Sequence, residues 1–202
     1  MALEIKVLDY GDIELESSFL VLGRDCGRVR RVPVLGMLVL GGTWPIVIDT
    51  GYRSNQIMET LGMRGLQSHE TLIENQLKKH GLRLGDVRYV LHTHLHIDHA
   101  GKDDLFPMNT TVVLNRRELE YSVSGLMHPQ YPAIDIKHLI DRLHTKGALR
   151  FLDLEITGPV TSRSRKRSAL LVCRRSIKCL MSGAGYCGCI SPDTEYSSSM
   201  SP

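Results

Sequence analysis

Three histidines and an aspartate fall within six residues of one another, at His94, His96, Asp98 and His99, directly behind the apolar run 87–91. Imidazole nitrogen and carboxylate oxygen are donors that Zn²⁺ accepts, and a catalytic zinc keeps one position open for water. If the strand runs through the motif, residues two apart face the same side, so His94 and His96 reach one metal together. Ala100-Gly101 then breaks the extended run, and the resulting turn aims Asp98 and His99 at a second metal. Packing alone does not ask for such a set. His92 shares the alternation of His94 and His96 and is expected to pack or to support a ligand rather than to bind.

A series of short elements must deliver this cluster. Residues 3–10 and 13–22 read as strands around Gly11-Asp12, and 34–40 and 46–49 as another pair around Gly41-Gly42-Thr43. Ser68 opens a helix with Leu72, Ile73 and Leu77 on one face, and Gly81 stops it. The strand 87–91 leads into the histidines. Residues 111–115 follow as a strand, 116–124 and 134–144 as helices, and 151–156 as a half-buried strand. Strands first and β-α-β alternation afterwards give an α/β chain with its site at the strand ends. Asp49, ending an apolar strand, is either a partner that orients a histidine or a turn residue before Thr50-Gly51. His69, His80, His138 and His144 are expected to face solvent from helices. His128, in Met127-His128-Pro129, belongs to a loop that is a candidate to overlie the site.

The stretch 93–101 resembles the signature of the metallo-β-lactamase superfamily, and Ile46-Val47-Ile48-Asp49-Thr50-Gly51 resembles the strand-Asp-Thr-Gly element preceding it there. Residues 101–107, 111–115 and Arg116, Glu118 and Leu119 look most like the branch containing the N-acyl-homoserine lactonases. The resemblance covers residues 1–160 and implies one half of an αββα sandwich. It also implies a zinc-dependent hydrolase that opens a lactone by metal-bound hydroxide, with two zinc ions and a quorum-quenching role. Asp98 would hold metal and also return a proton to the leaving alkoxide. Glyoxalase-type thioesterases share the motif, so a thioester substrate is the alternative within the class.

The family's remaining ligands, two histidines and a bridging aspartate, should follow residue 150. No histidine follows His144, and Asp193, in Pro192-Asp193-Thr194, lacks the family's context. At most two protein ligands per metal remain, where a catalytic zinc has three. Partial metal occupancy or none, and a catalytically impaired remnant, are therefore the competing expectation.

Composition changes at the same place. Residues 161–202 hold seven Lys/Arg against Asp193 and Glu195, leaving 18 basic and 20 acidic residues in 1–160. Cys173, Cys179, Cys187 and Cys189 all lie beyond 160, without a recognised zinc-finger spacing. The expected organisation is a partial domain over 1–160 and an irregular basic tail over 161–202. A replaced or frameshifted sequence accounts for the charge shift, the cysteine shift and the missing ligands together; a divergent C-terminal half is the alternative. The run Arg163 to Arg167 lacks interleaved aromatics and reads as solvated. Partners are then a small ester or lactone, with no nucleic acid and no membrane, in the cytoplasm. The sheet face that a second half would cover, over 34–40 and 112–114, should be open and promote self-association.

Overall fold

The computed structural model describes residues 2–126 and 128–153 (backbone only at 128), together with the backbone of 170–171 and 179–180. A seven-stranded sheet runs β4-β1-β2-β3-β5-β6-β7. Its strands are β1 (Glu4–Glu16), β2 (Val29–Leu40), β3 (Ile46–Ile48), β4 (Arg64–Leu66), β5 (Tyr89–Leu91), β6 (Thr111–Asn115) and β7 (Leu149–Leu152). Pairing is antiparallel from β4 to β3 and parallel from β3 to β7.

Where two strands were expected at the start, there is one. β1 crosses Gly11-Asp12 as a bulge, and its register against β2 shifts between Asp9 and Asp12. Gly11 takes φ +94° there, and its N–H donates to Asp9 Oδ1 at 2.9 Å. The partner decides the outcome, because β2 is long enough to pair both halves of β1, from Glu4↔Leu40 to Glu16↔Val29. A lone glycine absorbing one extra residue is a bulge, not a reversal.

The helix expected over 68–81 is broken. Ser68 and Thr71 cap each other across a 3-10 turn at His69–Thr71, and Leu72 is extended at ψ 139°. Only α2 (Ile73–Lys78) is α-helical, and Gly81 ends the segment in the left-handed region as expected. The other helices are α1 (Asn55–Met58), α3 (Arg116–Val123) and α4 (Ala133–Leu143). α3 and α4 lie within a residue of their expected limits. β7 runs Leu149–Leu152, beginning before 151 and ending before Asp153, and residues 154–156 of the expected strand fall outside the described residues.

One row across the sheet, Leu38–Val47–Val90–Val112, is fully buried. It packs with Ile73 and Leu77 of α2, Leu119 of α3, and Ile136 and Leu139 of α4 in a single cluster. The opposite face differs along its width. Ile5, Val7 and Leu35 are 52%, 62% and 47% exposed, whereas Leu91 and Val113 are buried. The expectation of an open face over 34–40 and 112–114 is thus corrected: Val34, Leu38 and Val112 to Leu114 are buried, and β1 with Leu35 carries the open part. Strand alternation is the reason, since only every second residue looks toward the uncovered side.

Arg142 of α4 ties the helix layer to the loop beyond the histidines. Fully buried, it donates to the carbonyls of Thr110 (2.8 Å), Asp103 (3.1 Å) and Phe106 (2.6 Å). The expected tail lies outside the described residues except for β8 (Leu170–Leu171) and β9 (Cys179–Leu180), which pair antiparallel.

Candidate metal centre

The histidines do not sit on a strand. β5 ends at Leu91, His92 N–H makes one last sheet-like bond to Val113 O at 2.9 Å, and residues 93–99 run through bends and a turn. Three separate elements pin this loop by alternate amides. Thr93 N–H donates to Asp49 Oδ1 at 2.9 Å, Leu95 N–H to Glu118 Oε1 at 3.0 Å, and Ile97 N–H to Gln130 O at 2.8 Å. Leu95 and Ile97 are buried in the core, so the intervening residues stay at the surface of the site. His94, His96 and Asp98 each offer one ligand atom, all within 4.8 Å of one another. The period of two thus survives without the strand expected to supply it.

Asp98 thus lies within reach of both His94 and His96 on one side and His99 on the other. The turn after His96 is tight, with His99 N–H and Ala100 N–H both on His96 O. It brings His99 Nε2 to 3.3 Å from Asp98 Oδ2 and the His99 ring centroid to 4.0 Å from that of His94. All four residues of the sequence motif converge.

Asp49 organises the loop from below. It stands at the end of β3 at φ +58°, a left-handed conformation that costs energy in a non-glycine residue. Its backbone is held on both sides, by Leu91 O and by the Tyr10 hydroxyl, which donates to Asp49 O. Its carboxylate receives Thr93 N–H, Thr93 Oγ1 at 2.7 Å and His99 Nδ1 at 3.0 Å. Asp49 is thus both turn residue and histidine partner. Burial would raise its pKa, but the neighbouring His92 and His99 imidazoles outweigh that and hold it well below the usual carboxylate range. Donating Nδ1–H to a carboxylate leaves Nε2 of His99 as the donor atom for a metal.

His92 lies beneath the loop, fully buried, with Nε2 2.7 Å from Asp103 Oδ2 and Nδ1 3.5 Å from Asp49 Oδ1. Burial alone would lower its pKa; the Asp103 carboxylate reverses the shift and lifts it to about 9. Asp103 also accepts from Thr50 Oγ1 at 3.1 Å. His138, expected in solvent, instead turns inward with Nε2 3.5 Å from Asp103 Oδ2, because α4 packs that face over the loop. His69 and His144 are exposed and His80 half-buried. The side chain of His128 lies outside the described residues. Asp103 and Glu118 entered the sequence reading only within stretches that resemble the lactonase branch, with no role given to either, and the pair Arg53–Asp135 escaped it, because no spacing marks these residues as partners of the loop.

The donor set suits a divalent ion. Ligand atoms around one zinc at about 2.1 Å lie roughly 3.4 Å apart, so a span of 4.8 Å closes with small side-chain movements. Metal ligation needs neutral imidazoles. Burial, then the neighbouring His99 and His96, push His94 down to about 3, and burial also lowers His96.

Comparison with known proteins gives the family. The Metallo-beta-lactamase superfamily profile matches residues 29–154, more than half of the chain. The chain belongs to the metallo-β-lactamase superfamily. An N-acyl homoserine lactonase of Bacillus sp is 30% identical over 160 residues, 66% of this chain and 64% of that protein. The N-acyl homoserine lactonase AttM of Azorhizobium caulinodans is 47% identical over 47 residues, 23% of this chain and 18% of that one. Among solved structures, a Bacillus thuringiensis AiiA variant with N-decanoyl-L-homoserine at its active site superposes with TM-score 0.63 at 23% identity. That match covers 77% of this chain and 63% of the other. AidC, a dizinc quorum-quenching lactonase, superposes with TM-score 0.56 at 19% identity, over 77% of this chain and 60% of its own. These likenesses establish the fold. The chain spans less than two thirds of the length of these relatives.

Proposed function

We propose that this chain is a zinc-dependent hydrolase that opens lactones of the N-acyl-homoserine type, with the ion at His94, His96 and Asp98 and with His99 beside it. The carrying observation is the convergence of three donor atoms within 4.8 Å on a loop pinned from three elements. The names of the two sequence relatives given above, both lactonases, and the dizinc description of AidC support the substrate class and the metal. Zinc bound there supplies Lewis acidity toward an ester carbonyl and acidifies water near neutral pH.

The chain's own residues do the rest. Asp49 fixes the tautomer and direction of His99 through Nδ1. Asp98 would take the proton that the attacking water loses and pass it to the departing alkoxide. No helix among the described residues is long and apolar enough to cross a membrane, and we place the protein in the cytoplasm, acting on a small diffusible ester.

The test is hydrolysis of an N-acyl-homoserine lactone panel by the purified chain with added Zn²⁺, followed by proton release. Turnover of lactones above thioesters and simple esters is expected. No turnover above the zinc blank overturns the activity. One observation favours a second reading, an impaired remnant with partial zinc occupancy or none: no histidine follows His144. Absence of tightly bound zinc by mass spectrometry in an inactive protein would select it, and two tightly held zinc ions would refute it.

A further inference from the structure

We propose that Glu118, acting with Tyr131, is a positioning residue that clamps the peptide between His94 and His96 and so sets where His96 presents its imidazole. The proposal rests on the metal reading of that loop. Leu95 is the residue between the two ligand histidines, and its amide is a buried-side anchor with no sheet partner. Glu118 Oε1 accepts that amide at 3.0 Å. The same oxygen accepts the hydroxyl of Tyr131 at 3.0 Å. The Tyr131 ring in turn stands edge-on to the His96 ring, with centroids 5.0 Å apart at 68°. Tyr121, one turn after Glu118 on α3, buttresses Tyr131 at 5.9 Å and 72°.

One carboxylate oxygen thereby joins the backbone on one side of His96 to the aromatic ring on the other. Packing alone would ask for an apolar side chain at this half-buried place, since a carboxylate pays desolvation to sit there. A charged acceptor on a peptide N–H makes the stronger kind of hydrogen bond. It is spent at the one amide whose displacement would move both ligand histidines. Groups of this kind behind metal ligands are worth about 10–100-fold in metal affinity. The clamp is also separate from Asp49, which acts on Thr93 and His99 at the far end of the loop.

Glu118→Ala, Glu118→Gln and Tyr131→Phe test the proposal on the full chain. Zinc affinity is read by competition with a chelating dye, and site geometry by the visible absorption of the cobalt form. Glu118→Ala should lose at least about tenfold in zinc affinity and change the cobalt bands. Glu118→Gln keeps a carbonyl oxygen for Leu95 N–H and should stay within about threefold. Tyr131→Phe keeps the ring against His96 and should fall between the two. The metal-free protein supplies an independent readout: the His96 imidazole ¹H–¹⁵N signals should shift in Glu118→Ala and return in Glu118→Gln. If the unaltered chain takes neither zinc nor cobalt, the metal reading fails, and these imidazole signals alone decide the clamp. If Glu118→Ala does not fold, the glutamine and phenylalanine variants decide it. Unchanged affinity and His96 signals in folded Glu118→Ala overturn the proposal. Equal damage in Glu118→Gln and Glu118→Ala also overturns it, because charge rather than the Leu95 bond would then be the cause.

Discussion

At the scale of single residues, ligand and scaffold are carried by different side chains. His94 and His96 are half-buried and outside the core cluster, whereas Leu95 between them is buried within it. Replacing both histidines by alanine should abolish zinc binding and leave the fold in place. Elemental analysis beside far-ultraviolet circular dichroism checks this, and zinc retained at the original stoichiometry would move the ligands elsewhere. A second residue carries a pH signature away from the loop. Asp135 is buried with Oδ1 2.6 Å from Arg53 Nε, while its Oδ2 has no hydrogen-bond partner among the described residues. Burial outweighs the arginine and raises its pKa to about 6. A carboxyl that holds its proton more tightly when folded adds stability below its unfolded pKa of about 4, and loses that stability as pH rises through 6. The difference in melting temperature between the unaltered protein and Asp135→Asn should therefore move against the unaltered protein between pH 4 and 6. A flat difference would show that the Arg53 pair keeps Asp135 ionised.

At the scale of elements, the site depends on two loops touching backbone to backbone. Gly101 N–H donates to Gly51 O at 2.8 Å. A Cβ at Gly101 would lie 2.4 Å from Arg53 N and 2.7 Å from the Tyr52 carbonyl carbon. Neither neighbour is a flexible side-chain end. Gly101→Ala should therefore cost about 2–3 kcal/mol or more in urea denaturation, at the upper end for overpacking, and weaken zinc binding by separating Asp49 from His99. Stability within about 0.5 kcal/mol of the original would mean the loops can part freely. Arg142 is the corresponding tie from α4. Arg142→Leu keeps bulk but leaves the carbonyls of Thr110, Asp103 and Phe106 without their donor, at about 1–3 kcal/mol for each buried unsatisfied group. Loss of cooperative unfolding is the expected outcome, read by the same denaturation.

At the scale of the whole molecule, the sheet has a covered face and a partly open one. Ile5, Val7 and Leu35 stand together on the open side, since Val7 pairs with Met37 and Asp9 with Leu35 across β1 and β2. Contiguous apolar surface of this kind favours association. Sedimentation velocity should show concentration-dependent self-association, and Val7→Lys with Leu35→Lys should reduce it without lowering the melting temperature. A concentration-independent monomer would refute the idea.

His94, His96, Asp98 and His99 were legible as a candidate metal-binding set because donor type and spacing are local properties, and β6, α3 and α4 were legible because their apolar periods are intact over their own length. Family membership was likewise carried by short stretches, 46–51 and 93–101. Most of the misreadings involve a distant partner, and one a local cap. β1 is one strand because β2 pairs both its halves, and the segment after Ser68 breaks because Ser68 and Thr71 cap each other at the expense of a longer helix. His138 faces Asp103 because α4 docks over residues that sit 35 positions earlier. Asp103, Glu118 and Arg142 act across 11 to 39 positions of chain, and hydrogen bonds over such separations leave no periodicity to read. Local pattern states what each segment can offer; only packing determines which partner accepts it.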